Sequence, residues 1–367
     1  MKCSHFPINC CSECPLDAIP AIFSQAKTFF KQYGFDLDLV TGNPNFWRTR
    51  AKLAVRKEGI GLFLPGTHRV APIPHCLAHH PKINEAVELI QKLSFSRYDE
   101  KTHQGDLRYI QLVVEKKSEK IQLTLVLNGE PSDSALINRW KTFSETHFQG
   151  NLWHSVWFNF QPRKNNVIFG PSWLHLLGPQ YIWEDILGTS IAFGPSHFGQ
   201  SNLALFEALL SDMKKLIQPN SFLLECYAGV GVISLVVSSI PQSIIVSERE
   251  ESAKKHFEAS KETLPLDIQK KLQFITLAAN NSVELFHRSD TVIVDPPRKG
   301  LEDSFLEALT SSKITKQLIY VSCNFSSLSR DILKLLKAGW KITFAKSYLF
   351  FPGTNHIELL VVLKKAE

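Results

Sequence analysis

Beyond residue 186 the chain alternates between two patterns, and alternation of this kind leaves few folds open. Helical apolar spacing covers residues 202–217, 231–238, 250–263, 304–311 and 326–337. Short apolar runs separate these segments, at residues 222–225, 243–248, 272–276, 291–295 and 317–322. Two more strand-like runs, 342–348 and 356–363, close the chain. Strands separated by helices pair in parallel through crossovers, so residues 186–367 are predicted to form an α/β, Rossmann-like, doubly wound sheet. Ligands on such sheets bind outside the carboxyl ends of the strands. The residues just after each strand therefore matter most.

The first 185 residues read differently. Helices are expected at 17–33, 81–95 and 132–147, and strands at 50–55, 59–63, 108–114, 121–127, 153–160 and 166–169. The pair flanking the polar turn 116–120 reads as a hairpin. This predicts a smaller α+β unit, with divisions at 1–90, 91–185 and 186–367. A length of 367 residues accommodates two or three such units. With 44% hydrophobic and 21% charged residues, the chain is not a disordered or collagen-like polymer. No apolar run approaches the ~18 to 20 residues of a membrane span, and the amino terminus lacks a signal-peptide core. A cytoplasmic protein with no membrane partner is expected, and no obligate protein partner is evident.

The net charge of +6 points weakly to a polyanion. One stretch is more specific. Residues 46–57 carry Arg48, Arg50, Lys52, Arg56 and Lys57 without an acid, beside Phe46 and Trp47. That mixture suits phosphate contacts with base stacking, although a solvated strand face would look the same.

Four of the seven cysteines, Cys3, Cys10, Cys11 and Cys14, fall within the first fourteen residues. Cys76 follows, then Cys226 and Cys323, each isolated. A long chain with an odd cysteine count and no export signal is not a disulfide scaffold. Cys3, Cys11 and Cys14 form C-x7-C-x2-C, and Cys76 could complete a set of four thiolates. Such a set holds either zinc or an iron–sulfur cluster, and spacing leaves both open.

The strand ends carry the chemistry. After the first strand comes Glu225-Cys226-Tyr227-Ala228-Gly229-Val230-Gly231, a turn at which a ligand can approach the backbone. Glu248 ends the second strand, where an acid commonly accepts from ribose hydroxyls. A nicotinamide dehydrogenase fits these features as well as a methyltransferase does. Further on, Asp295-Pro296-Pro297-Arg298-Lys299-Gly300 fixes a rigid turn presenting a carboxylate and positive charge. The next strand ends in Ser322-Cys323-Asn324, where a thiol beside a helix amino terminus is expected to have a depressed pKa and to act as a nucleophile. A buried structural thiol is the plainer alternative. Glu358 lies among Ile357, Leu359 and Leu360, where a carboxylate needs a salt-bridge partner or a task.

The three segments DPPRKG, SCNFSSLSRD and FPGTNHIE, in that order, resemble the RNA (uracil-5-)methyltransferase family, and similarity extends over nearly the whole chain. The resemblance implies a class I fold that uses S-adenosylmethionine to convert uridine to 5-methyluridine in RNA. It implies Cys323 as nucleophile and Glu358 as base, with cofactor contacts from Gln200, Tyr227, Glu248 and Asp295. The amino-terminal cysteines are similar to those of the branch with a [4Fe-4S] cluster. That implies Cys3, Cys11, Cys14 and Cys76 as ligands, Cys10 as a bystander, and ribosomal RNA favoured over transfer RNA. The sequence departs from the family at Gly199, at Glu225 (usually Asp), near Leu349, and at Ala278 and Ala279, where Asn280 could substitute for a polar adenine contact. The rival from another class is an RNA-binding or ribosome-assembly factor without catalysis. Intact Cys323, Glu358 and Asp295 argue against it.

Overall fold

The computed structural model describes residues 15 and 17–365. Its helices are α1 (Ala21–Lys31), α2 (Pro81–Lys92), α3 (Ser134–His147), α4 (Leu203–Leu216), α5 (Val232–Val237), α6 (Glu251–Lys261), α7 (Leu266–Gln269), α8 (Asp303–Ser311) and α9 (Phe325–Lys337). The amino-terminal strands are β1 (Leu39–Val40), β2 (Arg50–Arg56), β3 (Gly59–Phe63), β4 (Val70–Pro72), β5 (Leu107–Val114), β6 (Ile121–Leu127), β7 (Trp153–Phe160) and β8 (Ser172–Leu177). A hairpin of β9 (Ile182–Ile186) and β10 (Thr189–Phe193) leads into β11 (Phe222–Cys226), β12 (Ser243–Glu248), β13 (Leu272–Thr276), β14 (Thr291–Val294), β15 (Gln317–Ser322), β16 (Trp340–Tyr348) and β17 (Glu358–Lys365).

The larger sheet has the order β1-β16-β17-β15-β14-β11-β12-β13. Strands β15, β14, β11, β12 and β13 run parallel, while β17 is antiparallel to both β15 and β16. Apolar clusters fill both faces, one around Leu209, Val246 and Phe257, the other around Phe305, Tyr320 and Ile332. Burial on both faces is why these strands read as continuous apolar runs.

The smaller sheet has the order β4-β3-β2-β5-β6-β7-β8. The division expected at residue 90 runs through it, because β2 pairs with β5 from Arg50↔Val113 to Ala54↔Tyr109. Strands on either side of that point share one core with α2 and α3, around Leu53, Ile83, Val87, Ile110, Leu123 and Trp140. Helix α2 starts at Pro81, whose missing N–H costs nothing there, and the His80 side chain accepts from the Lys82 amide. Its buried residues Ile83, Ala86, Val87 and Ile90 follow the spacing of one helical face.

The expected strand at 166–169 is irregular chain. Side chains engage the backbone here instead of a ladder: the Val167 carbonyl accepts from the Gln161 side-chain amide and its N–H donates to Asn165 Oδ1, while Arg108 donates to the Gln161, Arg163 and Asn165 carbonyls of the chain just before it. The strand forms later, as β8. Strand β1 also went unforeseen. It joins the far sheet, with Leu39 opposite Ser347.

Candidate active site

Cys323 directly follows β15 and Glu358 opens β17. These strands are antiparallel, and their last rung pairs Ser322 with Leu359. One step further sets Cys323 opposite Glu358, where facing Cβ atoms lie about 5 Å apart. Asp295 directly follows β14, the other neighbour of β15. Three acids thus meet at one edge of the sheet, at the carboxyl ends of β14 and β15 and the amino end of β17.

Their electrostatics are unusual. Glu358 is 1% exposed, and its Oε1 has no hydrogen-bond partner. It makes no salt bridge among the described residues, so the structural ion-pair alternative does not hold. Burial, with repulsion from Asp295, raises its pKa well above the usual carboxylate range. Burial pushes Asp295 up to about 7. The Cys323 thiol is pushed up to about 11 by burial, Glu358 and Asp295, with Arg298 opposing.

This corrects the expectation of a depressed thiol pKa. The amino terminus of α9 is already capped, because Asn324 Oδ1 accepts from the Ser326 and Ser327 amides. What remains of the helix field is outweighed by burial and two neighbouring carboxyls. Alkylation of Cys323 by iodoacetamide should therefore be slow at pH 7 and accelerate about tenfold per pH unit towards pH 11. A rate already at its plateau near pH 7 would mean that the thiolate is stabilised in the free protein. Cys226, fully buried, should stay unreacted throughout.

The turn after β11 forms the other wall. Tyr227 has φ +60°, a left-handed conformation strained for a non-glycine residue, and its buried hydroxyl has no partner. Gly231 is required at φ +77°, and a Cβ there would lie 2.6 Å from the Phe257 ring. Glu248 Oε2 accepts from the Gly229 amide at 2.9 Å and its Oε1 from the Glu250 amide, fixing the carboxylate beside the turn. Glu225, one methylene longer than the family's Asp, points inward. It accepts from the Ser234 amide of α5 at 2.8 Å, and burial pushes its pKa up to about 8. Asn280 is exposed at the start of a run of 3-10 turns, Ala279–Arg288.

Gln200 is buried in the loop before α4, two residues after Phe198, which is 76% exposed. The loop is held by residues that sequence reading overlooked. Thr49 donates through both its amide and its hydroxyl to the Ser201 carbonyl, at 3.0 and 3.2 Å. Asn202 caps α4 through the Leu205 amide and donates to the Phe350 carbonyl. A Cβ at Gly199 would lie 2.6 Å from the Arg50 guanidinium carbon, so a side chain there would displace the end of Arg50. The absence of a side chain at 199 is thus matched by an arginine reaching across from β2. Burial pushes Arg50 down to about 10, with the Glu184 charge opposing.

The basic stretch divides in two. Arg56 is buried, paired with Glu100 and donating to the Arg108 carbonyl, so it serves the fold. Lys52 and Lys57 are exposed. Asp331 also emerged as a positioning residue. It is fully buried and accepts from the Leu301 amide, the Tyr320 hydroxyl and Arg330, while Arg330 donates to the Lys299 carbonyl. This ties the Asp295 loop to the helix that follows Cys323. Its signal was the Arg330-Asp331 pair within SCNFSSLSRD.

Cys3, Cys11 and Cys14 lie outside the described residues. Cys76 is buried between β4 and α2, with its amide donating to Asn84 Oδ1 and its carbonyl accepting from Asn84 Nδ2. Among the described residues no group of His, Cys, Asp and Glu could hold a metal ion, and no helix is long and apolar enough to cross a membrane.

The strand order and the ligand-side turns define a Rossmann-like methyltransferase fold. The same fold is found in the tRNA (uracil-54, C5)-methyltransferase of Pyrococcus abyssi, solved with S-adenosyl-L-homocysteine. The two share 23% identity at a TM-score of 0.76, over 92% of this chain and 81% of that one. Residues 192–366 match the model of the tRNA (Uracil-5-)-methyltransferase family. An uncharacterised RNA methyltransferase of Protochlamydia amoebophila is 39% identical over all of this chain and 98% of its own length. Another, from Bacillus cereus, is 30% identical over 88% of this chain and 71% of its own length. The chain belongs to the RNA (uracil-5-)methyltransferase family.

Proposed function

We propose that this protein methylates carbon 5 of a uridine in RNA through a covalent adduct on Cys323. The observation that carries the reading is the unpaired, buried Glu358 opposite Cys323, with Asp295 on the adjacent strand end. Three acidic groups whose pKa values are all raised, chiefly by burial, make a site that gains from an added cation. A sulfonium is such a cation. Gln200, Tyr227, Glu248 and Asp295 are the residues assigned to hold S-adenosylmethionine, which supplies the methyl group when bound.

Carbon 5 of uracil is a poor nucleophile. Cys323, as the thiolate, forms a bond from Sγ to carbon 6, and the electron pair moves onto the C4 carbonyl as an enolate. Carbon 5 of that enolate can then take the methyl group. Glu358, as the carboxylate, then removes the carbon 5 proton. The electrons re-form the 5,6 double bond and expel the Cys323 thiolate. The base must leave its stack to meet both groups. Arg48, Arg50 and Lys52 of the basic stretch are assigned to RNA phosphates.

Ribosomal RNA is the proposed substrate, on the pattern of Cys3, Cys11, Cys14 and Cys76. A second reading, transfer RNA, is favoured by the name of the matching family model. Mapping 5-methyluridine in both RNA classes, with and without this protein, tests the function. Loss of one ribosomal 5-methyluridine is the expected result. Loss from transfer RNA would favour the second reading, and no change in either would contradict the activity.

The same four cysteines are proposed to ligate a [4Fe-4S] cluster. Protein purified without oxygen should be brown and carry about four irons and four sulfides per chain. Colourless protein with one zinc would favour the other thiolate metal.

A further inference from the structure

Helices α2 and α3 cover one face of the smaller sheet, the face of Leu53, Ile110, Leu112 and Leu123. The opposite face carries a groove of about 530 Å³, lined by Lys52, Phe63, His68, Tyr109, Asn166 and Ile168 among others. Its lining includes no carboxylate, so nothing in it would attract a cation. Its walls are aromatic. Phe63 stands edge-on to Tyr109, with ring centroids 6.4 Å apart, and edge-on to His68 at 6.3 Å. The Lys52 ammonium lies 4.5 Å from the Phe169 ring centre and has no acidic partner among the described residues. The Asn166 amide is exposed, and neither it nor the Tyr109 hydroxyl hydrogen-bonds a described residue.

Arg50 precedes Lys52 by two positions on the same strand face, so their Cα atoms lie about 7 Å apart. That is comparable to the step between neighbouring phosphates of an extended strand. Arg50 packs against Gly199, beside the cofactor loop. Burial and the Arg50 charge both lower the Lys52 pKa, so the two cations repel one another, while the Glu184 carboxylate offsets part of the Arg50 charge. An anion bridging them would relieve that repulsion. An aromatic-walled groove, a free amide and a lysine without an acidic partner beside a second cation together match the chemistry of a nucleotide: a flat base, an edge to hydrogen-bond, and phosphates.

We propose that this groove is a second nucleotide site, which holds one unpaired nucleotide of the RNA beside the target. Its base packs among Tyr109, Phe63 and His68, and its phosphate sits on Lys52. The chain then runs past Arg50 towards the cofactor loop. This rests on the reading of the protein as an RNA methyltransferase and adds where a flanking nucleotide is held.

The test uses the full-length protein and a uridine-rich single-stranded RNA of about twelve nucleotides carrying 5-iodouridine. Irradiation should cross-link the RNA to Tyr109, Phe63 or His68, located by peptide mapping. Lys52→Ala and His68→Ala alter exposed residues and should each weaken RNA binding roughly 3- to 10-fold. Lys52→Ala should also reduce the salt slope by about one, with S-adenosylmethionine affinity unchanged. Cross-links that map elsewhere, with wild-type RNA affinity in both variants, would overturn the site while leaving the methylation reading intact. Cross-linking through the groove by a protein that methylates no RNA would support the site and count against the activity.

Discussion

Cys323→Ala protein should methylate RNA at a rate lower by about 10⁴-fold or more, and should form no covalent complex with it. The size of the effect follows from the chemistry. Without a bond at carbon 6 there is no enolate, and carbon 5 stays too weak a nucleophile to take the methyl group. Folding should survive, because Cys323 is partly exposed at a strand end and alanine leaves no buried group unpaired. Equilibrium dialysis should show S-adenosylmethionine still bound. Turnover near the wild-type rate would return Cys323 to the role of a structural thiol.

Glu358→Gln should separate the second half of the reaction from the first. Glutamine keeps the volume but cannot accept the carbon 5 proton, so turnover should fall about 10²- to 10⁴-fold. Methyl transfer should still occur once per chain. A protein–RNA complex that survives denaturing gels should then accumulate, carrying the methyl group. The substitution also removes a buried ionisable group that has no partner, so the variant should be at least as stable as the wild type near neutral pH. The sign follows from the shift. Glu358 has its pKa raised in the folded state, so burying it ionised becomes unfavourable as pH rises above the unfolded value, and the glutamine variant escapes that loss. A variant with full turnover would assign proton removal to another group, with Asp295 the nearest candidate.

The carboxyl-terminal half was legible because its strands are buried on both faces and its helices are amphipathic. The runs 272–276 and 317–322 are the structural strands β13 and β15, and 153–160 in the amino-terminal half is β7. What stayed hidden depends on contacts distant in sequence. Two-residue β1 has no pattern of its own and is a strand because Ser347 and Leu349 bond to the Asp38 and Val40 carbonyls. The apolar residues near 166–169 suggest a strand, but Arg108, some 55 residues away, holds the carbonyls of the chain leading into them, and the Gln161 side chain takes the Val167 carbonyl. The division at residue 90 fails for the same reason, since sheet pairing joins β2 to β5 across a helix.

The site shows the same contrast. Motif residues could be named from their positions at strand ends, but their protonation could not. A cysteine before a helix suggests a low pKa, and the opposite holds once Asn324 caps that helix and Glu358 and Asp295 approach. Arg50 looked like one of five similar cations. Its position against Gly199 gives meaning both to the missing side chain at 199 and to the arginine.

The central claim is that Cys323 adds to carbon 6 and that a base then removes the carbon 5 proton. RNA with 5-fluorouridine at the methylated position tests both at once, because fluorine cannot leave as a proton does. Incubation of wild-type protein with this RNA and S-adenosylmethionine, followed by nuclease digestion and peptide mass spectrometry, is the measurement. The account expects a peptide bonded through Cys323 to a nucleotide that carries both fluorine and one added methyl group. An unmodified Cys323 peptide, with methyl groups transferred to ordinary RNA at the normal rate, would contradict it.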